Sequence, residues 1–135
     1  MAAGATTATA ITVSIARDPA LVRTVRLVAA AVARRTGQDE DFVEEVRLAV
    51  GEACALMMAD KPVDADSSGP VTVVISIGDQ LTVEVGSEGT VPADNPGTSD
   101  LDGVEPWALL RGLIEDFKVT REGARTTLTM NWPLS

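Results

Sequence analysis

The sequence has no histidine and a single cysteine, Cys54, among its 135 residues. One cysteine cannot form a disulfide within the chain. Protein zinc sites are built mainly from histidine and cysteine, so this scarcity argues against a zinc site, and we predict no metal centre. Because Cys54 falls on the apolar stripe of its segment, we predict that it is a small buried hydrophobic residue.

Basic residues and long apolar runs are also scarce. The chain has 11 lysines and arginines against 20 acidic residues, a formal net charge of −9. Non-specific binding to nucleic acid or anionic membranes needs a basic surface, so the charge argues against both. The longest apolar run, Leu27–Ala33, is too short to cross a bilayer. Residues 1–10 lack the features of a signal peptide, and we expect a cytoplasmic protein.

Length and apolar content favour one folded domain. Apolar residues make up 45% of the chain, which excludes disorder throughout. We predict a flexible N-terminus over residues 1–8 and a single domain over residues 9–135. Aromatic residues are rare, and we expect Trp107 and Trp132 to pack in the core or at its edge.

Apolar alternation and periodicity define the secondary structure. The predicted elements, in chain order, are a strand at Thr9–Ala16, helices at 19–35 and 40–60, strands at Val71–Ile77 and Leu81–Val85, a helix at 105–116, and strands at Phe117–Thr120 and Thr126–Trp132. Two longer polar segments, Lys61–Pro70 and Ser87–Gly103, are predicted loops. This order predicts an α+β two-layer sandwich with helices on one face of a mixed, mostly antiparallel sheet.

The second predicted helix carries an unusual outer face. Its core stripe consists of Val43, Val46, Val50, Ala53, Cys54 and Met57. Glu52 points nearly the opposite way, on a face that it shares with Leu48, Ala49, Ala55, Leu56 and Ala59. An outer face that is apolar around a single carboxylate indicates cover by a ligand, a lid or a partner.

The run LAVGEACAL, which contains Glu52 and Leu56, resembles the N-box helix of the ATP-binding fold of histidine kinases and anti-sigma-factor kinases. Members of that family read roughly LAVSEAVTN, with the glutamate as base and the asparagine as magnesium ligand. The chain thus resembles anti-sigma factors of the RsbW and SpoIIAB type, most of all the actinobacterial UsfX branch. The resemblance implies the Bergerat, or histidine-kinase-like ATPase, fold. It also makes Glu52 the catalytic base, provided that the protein is an active kinase.

Other nucleotide motifs of that family are eroded in this chain. The adenine-binding aspartate falls at Ser87 or Glu88, depending on one residue of register, and Gly89 matches one of the motif's glycines. The phosphate-binding glycines align with Val104–Pro106, where the proline has no N–H to donate. Leu56 replaces the amide oxygen that a hard cation such as Mg²⁺ needs.

Near the C-terminus the family's Gly-Thr pair aligns with Arg125 and Thr126. If a nucleotide binds, the resemblance therefore assigns its contacts to Glu52, Glu88, Gly89 and Thr126. Losing the metal ligand and the phosphate loop together removes most of the charge neutralisation on which phosphoryl transfer depends. We expect no cofactor, with ATP and Mg²⁺ as the alternative.

Arginines on the first predicted helix suggest a docking surface for carboxylates. Arg23, Arg26 and Arg34 are predicted to share one face with Leu27 and Ala30. In the anti-sigma family one arginine of this helix contacts both the sigma factor and its antagonist. Its counterpart here is Arg23 or Arg26, since the gap before the second helix is uncertain, and Leu27 is placed with them at the contact.

Three functions remain open at this stage. The first is an anti-sigma factor that sequesters an alternative sigma factor and is released by a STAS-domain antagonist. It would act as a homodimer through the sheet edge and first helix, without direct contact to nucleic acid or membrane. The second is an active ATP-dependent serine kinase of that antagonist, for which Asp60 is a candidate oxygen ligand. The third is an adaptor domain that regulates something other than transcription.

Overall fold

The computed structural model describes residues 9–59, 69–88, 116–122 and 125–134. Within these ranges the elements are β1 (Thr9–Ile15), a 3-10 turn (Pro19–Leu21), α1 (Val22–Arg35), α2 (Glu40–Ala59), β2 (Val71–Ile77), β3 (Gln80–Glu88), β4 (Phe117–Glu122) and β5 (Arg125–Pro133). The predicted helix over 105–116 lies outside the described residues apart from Asp116, as do most of the two predicted loops. No helix in the described ranges is long and apolar enough to span a membrane.

The described strands form one sheet in the order β1-β2-β3-β5-β4, and each described pairing is antiparallel. β2 and β3 form the predicted hairpin, with Ile77 opposite Leu81 and the amide of Gly78 donating to the carbonyl of Gln80 at 2.9 Å. Both helices pack on this sheet, since α1 and α2 contact β2 and α2 also contacts β3. The predicted α+β architecture is confirmed.

Short polar residues set the helix ends. The Asp18 side chain accepts a hydrogen bond from the Ala20 amide at 3.0 Å and starts the turn that leads into α1. α1 ends at Arg35, and Gly37 follows two residues later with a φ of 82°, a left-handed conformation that glycine adopts without steric cost. Asp39 then caps α2 by accepting from the Phe42 amide at 2.9 Å. These caps fix a short connection between the two helices.

The core lies between the sheet and the helices. The whole predicted stripe of α2 is buried: Val43, Val46, Val50, Ala53, Cys54 and Met57. Trp132 is buried as predicted, and its indole Nε1 donates to Glu45 Oε2 at 3.0 Å, which ties the end of β5 to α2. Two predictions were wrong. Ala30 is buried rather than exposed beside the arginines of α1, and Ala49 and Leu56 are buried within the chain rather than on an outer face.

Arg17 links three elements through backbone carbonyls. Its Nη1 donates to the carbonyl of Met57 at 2.8 Å, and its Nε donates to the carbonyl of Gly69 at 3.0 Å. Met57 lies in the last turn of α2, which has no basic residue of its own and whose final carbonyls lack partners within the helix. A guanidinium there satisfies a carbonyl and complements the negative end of the helix dipole.

We predict that Arg17→Lys lowers the free energy of unfolding by about 1–2 kcal/mol, because one ammonium cannot reproduce two diverging bonds made by a charged donor. Urea unfolding measures the change. Arg35→Lys, at the exposed end of α1, is the matched control and should have little effect. Equal stability of the Arg17→Lys and control proteins would contradict a stabilising role for these two hydrogen bonds, which we call the Arg17 clamp.

Candidate functional site

A surface pocket of about 410 Å³ lies at the start of α1. Its lining residues are Pro19, Ala20, Val22, Arg23, Thr24 and Arg26. α1 has no side-chain hydrogen bond at its N-cap and no acidic residue in its first turn. Within α1 no acidic side chain offsets the positive end of the helix dipole, although the carboxylate of Asp18 caps the preceding turn, and two arginines add positive charge. The pocket is a positive region on an acidic protein.

The arginines of α1 are all exposed, but their surroundings differ. The guanidinium of Arg26 lies against Gly51 of α2, so closely that a Cβ atom at position 51 would be 2.3 Å from Nε. Arg34 forms an exposed ion pair with Glu40, with Nε 3.4 Å from Oε2. Leu27 is 64% exposed. The structure therefore brings Arg23 and Arg26 together at the pocket, while Arg34 is paired at the other end of the helix.

Glu52 lies on α2 at the edge of the buried surface and is half-buried. Among the described residues, no basic group lies within 4.0 Å of its carboxylate. The apolar residues predicted to surround it differ in exposure. Ala49 and Leu56 are buried within the chain, while Leu48 is 42% exposed. The carboxylate is therefore accessible, but external cover is not required to explain most of its apolar neighbours.

β3 continues beyond Val85, its predicted end, and runs to Glu88, so that both candidate positions of the adenine motif lie on this strand. Ser87 is opposite Thr126 on β5, and both are buried, at 0% and 2% exposure. The Ser87 hydroxyl donates to the sulfur of Met57 at 3.7 Å, so it faces α2. Two neighbouring hydroxyls thus lie beneath α2.

The structure describes only some of the other residues that the resemblance assigns to a nucleotide. Glu88 is the last residue of β3, opposite Arg125. Arg125 is exposed, and its guanidinium covers Gly86, where an added Cβ would be 2.5 Å from Nη2. Gly89 and the Val104–Pro106 segment lie outside the described residues. Of the predicted set, only Thr126 is shown to be buried under the helix layer.

Among the described residues, the position that aligns with the family's magnesium ligand offers no oxygen to a magnesium ion, and the alternative ligand Asp60 lies outside them. The side chain at the family's ligand position, Leu56, is an alkyl group and is 7% exposed, so it belongs to the core. The described ranges contain no group of three or more histidine, cysteine, aspartate or glutamate side chains that could hold a metal. A hard cation needs several oxygen ligands, which this surface does not supply.

The sequence patterns did not identify two residues that make structural contacts with α2 or within it, Gly51 and Arg17. Glycine inside a helix is about 1 kcal/mol less favourable than alanine, so Gly51 in the middle of α2 is a signal of close approach by another group. Arg17 gives no such signal, because its acceptors are backbone carbonyls 40 and 52 positions away.

Burial changes the chemistry of Cys54. Desolvation raises the pKa of its thiol from 9.0 to about 12, against the opposing effect of the positive charge of Arg26. The thiol therefore stays protonated and unreactive at neutral pH. The prediction that Cys54 is a buried small hydrophobe is confirmed by its burial on the core stripe.

The family described as "Histidine kinase-like ATPase domain" matches residues 15–132. Among solved structures, the chain is similar to the RsbU and RsbW domains of Rv1364c from Mycobacterium tuberculosis, with 15% identity and a TM-score of 0.70. That match covers 93% of this chain and 32% of the other, so this chain spans only part of the matched protein's length. At this identity the likeness shows the fold alone. No curated protein matches the chain.

We predict that Cys54 makes the fold less stable at alkaline pH. Its pKa is raised on folding, so its contribution is complete below pH 9.0 and is lost as the pH rises towards 12. The slope can reach about 1.4 kcal/mol per pH unit. Urea unfolding between about pH 9 and 10.5 should show a steeper loss for the wild type than for Cys54→Ala, since both share every other titrating group. Parallel slopes would contradict the burial-driven shift.

Proposed function

This chain belongs to the histidine kinase-like ATPase domain family, and on that premise we propose that it is an anti-sigma factor of the RsbW type, close to the UsfX branch. In this proposal the protein sequesters an alternative sigma factor and releases it when a STAS-domain antagonist competes for an overlapping surface. The observation that carries the proposal is the pocket at the start of α1, where Arg23 and Arg26 lie together beside the exposed Leu27.

The charge of this surface favours an acidic partner. The chain carries a net charge of −9, so the arginine pocket differs in sign from most of the molecule. A local positive patch steers a partner with carboxylates to that point and disfavours other orientations. An exposed leucine next to the pocket adds the apolar contact from which protein interfaces gain affinity. Together these features support a protein partner at the start of α1.

The state of the nucleotide positions supports control by partner competition. Leu56, which aligns with the family's magnesium ligand, is buried. Ser87, one of the two residues that align with its adenine-binding aspartate, is buried as well. A serine hydroxyl is a weaker acceptor than a carboxylate for the adenine amino group. We therefore propose that the site is degenerate and that release of the sigma factor does not need phosphorylation.

A homodimer is part of the same proposal. β1 pairs only with β2 among the described strands, and Ile11 of β1 is 36% exposed. Such an edge offers unpaired backbone groups to a second strand. A second copy that binds through this edge and α1 would cover the unpaired backbone groups and Ile11. Sedimentation equilibrium measures whether the protein is a dimer. A purely monomeric protein at micromolar concentration would argue against this part.

We predict that pull-down from the native cytoplasm recovers a sigma factor and a STAS-domain protein, and that Arg23→Glu lowers the affinity for the sigma factor at least about ten-fold. The reason is that a like charge is placed opposite a partner carboxylate. Arg35→Glu is the control, because it changes net charge equally at the far end of α1. Recovery of neither partner, or equal effects of the two reversals, would count against the proposal.

The second candidate is a serine kinase that phosphorylates its STAS antagonist, with Glu52 as base. The observation in its favour is the buried pair of hydroxyls at Ser87 and Thr126. Apolar side chains would fill the same space without the cost of burying a polar group. Phosphate transfer that persists in Glu52→Ala would remove the role assigned to Glu52. If the protein binds neither a nucleotide nor a sigma factor, these results would favour the third function, an adaptor domain that regulates something other than transcription.

We predict that calorimetric titration with Mg·ATP and Mg·ADP gives no binding heat up to millimolar nucleotide, since Leu56 supplies no oxygen ligand. The sample must first be shown to be free of carried-over nucleotide. Micromolar binding would instead favour the kinase. In that case Thr126→Val, which removes one buried hydroxyl at nearly constant volume, should weaken it.

A further inference from the structure

Gly51 lies in the interior of α2, and the guanidinium of Arg26 on α1 lies directly against it. A Cβ atom added at position 51 would be 2.3 Å from Nε and 3.1 Å from Cζ of Arg26. Non-bonded atoms do not approach that closely, so any larger residue at this position forces the guanidinium to move. The glycine is unfavourable for the helix itself. Space for Arg26 is the physical reason that the structure offers for it.

This placement leaves the hydrogen-bonding capacity of Arg26 unused. Among the residues that the structure describes, no acceptor is bonded to its guanidinium and no carboxylate lies within 4.0 Å of it. The backbone carbonyls beside Gly51 are already engaged in the hydrogen bonds of α2. Arg26 also lines the pocket at the start of α1. Its planar set of N–H donors therefore lies against α2 and has no acceptor within the part of the chain that the structure describes.

We infer that Gly51 is a positioning residue that holds Arg26 as a preorganised binding point for a carboxylate of an acidic protein partner. The inference deepens the proposed function, on which the partner's identity depends, while the geometry of the pair stands independently. A free arginine loses side-chain entropy when it binds, and prior seating against α2 removes part of that loss. It follows that Arg26, rather than Arg23, is the anchoring arginine of the pocket.

The first test is two-dimensional ¹⁵N–¹H NMR of the arginine Nε–H groups in the whole chain. Gly51→Ala should shift the Arg26 signal and speed its exchange with water. Gly78→Ala is the matched control, because a Cβ there meets nothing within 4 Å, and it should leave Arg26 unchanged. An Arg26 signal that is the same in Gly51→Ala and the wild type would overturn the inference.

The second test is binding, with an acetylated hexapeptide of alternating glutamate and leucine as the probe. In the wild type the peptide should shift the Arg26 signal more than that of Arg23. Gly51→Ala should bind at least about five-fold more weakly, and so should Arg26→Lys, which keeps the charge but loses the planar fork. A peptide that shifts Arg23 alone, or that binds Gly51→Ala as well as wild type, would overturn the inference.

A double-mutant cycle separates positioning from a general effect on stability. Without Arg26, alanine at position 51 should improve the helix and raise the folding equilibrium constant by up to about five-fold. With Arg26 present, that gain should be absent or reversed. Equal effects of Gly51→Ala in both backgrounds would overturn the inference. None of these tests uses a sigma factor, so failure of the pull-down would reject the proposed function and leave this result intact.

Discussion

Helix α2 is covered on two sides at once, by the sheet and by α1, and the rest of the structure depends on this double contact. On the sheet side the sulfur of Met57 accepts a bond from Ser87, and on the other side Arg26 lies on Gly51. Little of the helix middle then reaches solvent, and Glu52 is among the positions that do. The same packing positions α1, whose buried surface includes small residues such as Ala29 and Ala33 that allow close contact with its neighbours.

The packing also shows how small and apolar side chains at positions 56, 87 and 126 fit the core of the fold. Leu56 contributes a buried alkyl group where a metal ligand would expose a polar one, and burial of that group favours folding. Ser87 and Thr126 keep small hydroxyls within a tightly packed layer, where a larger carboxylate would have to be desolvated. At positions 56 and 87, a side chain that is easily buried favours folding, whereas a polar or charged group that could bind a ligand would have to be desolvated. The polar character that remains lies at the start of α1, on the surface that we assign to a partner.

Local patterns predicted most of the fold, whereas long-range contacts account for what the sequence did not show. The core stripe of α2 was predictable because its spacing matches one helix turn after another. The extension of β3 through Gly86 to Glu88 was not, since it depends on pairing with β5 some forty residues later. A helical projection placed Ala30 on the outer face with the arginines, because it does not contain the direction from which the rest of the chain covers α1. At the start of α1, the sequence singled out both arginines that line the pocket, but not the contact of Arg26 with Gly51.

The Arg17 clamp has a consequence for how the chain can vary during evolution. One side chain holds both the last turn of α2 and Gly69, the two borders of the segment between α2 and β2. The separation of those borders is therefore set by a guanidinium and not by the number of residues between them. Closing a longer loop between fixed ends costs little extra entropy. Insertions at this point should accordingly be tolerated in relatives that keep the arginine, and the segment is a natural place for this architecture to acquire new length.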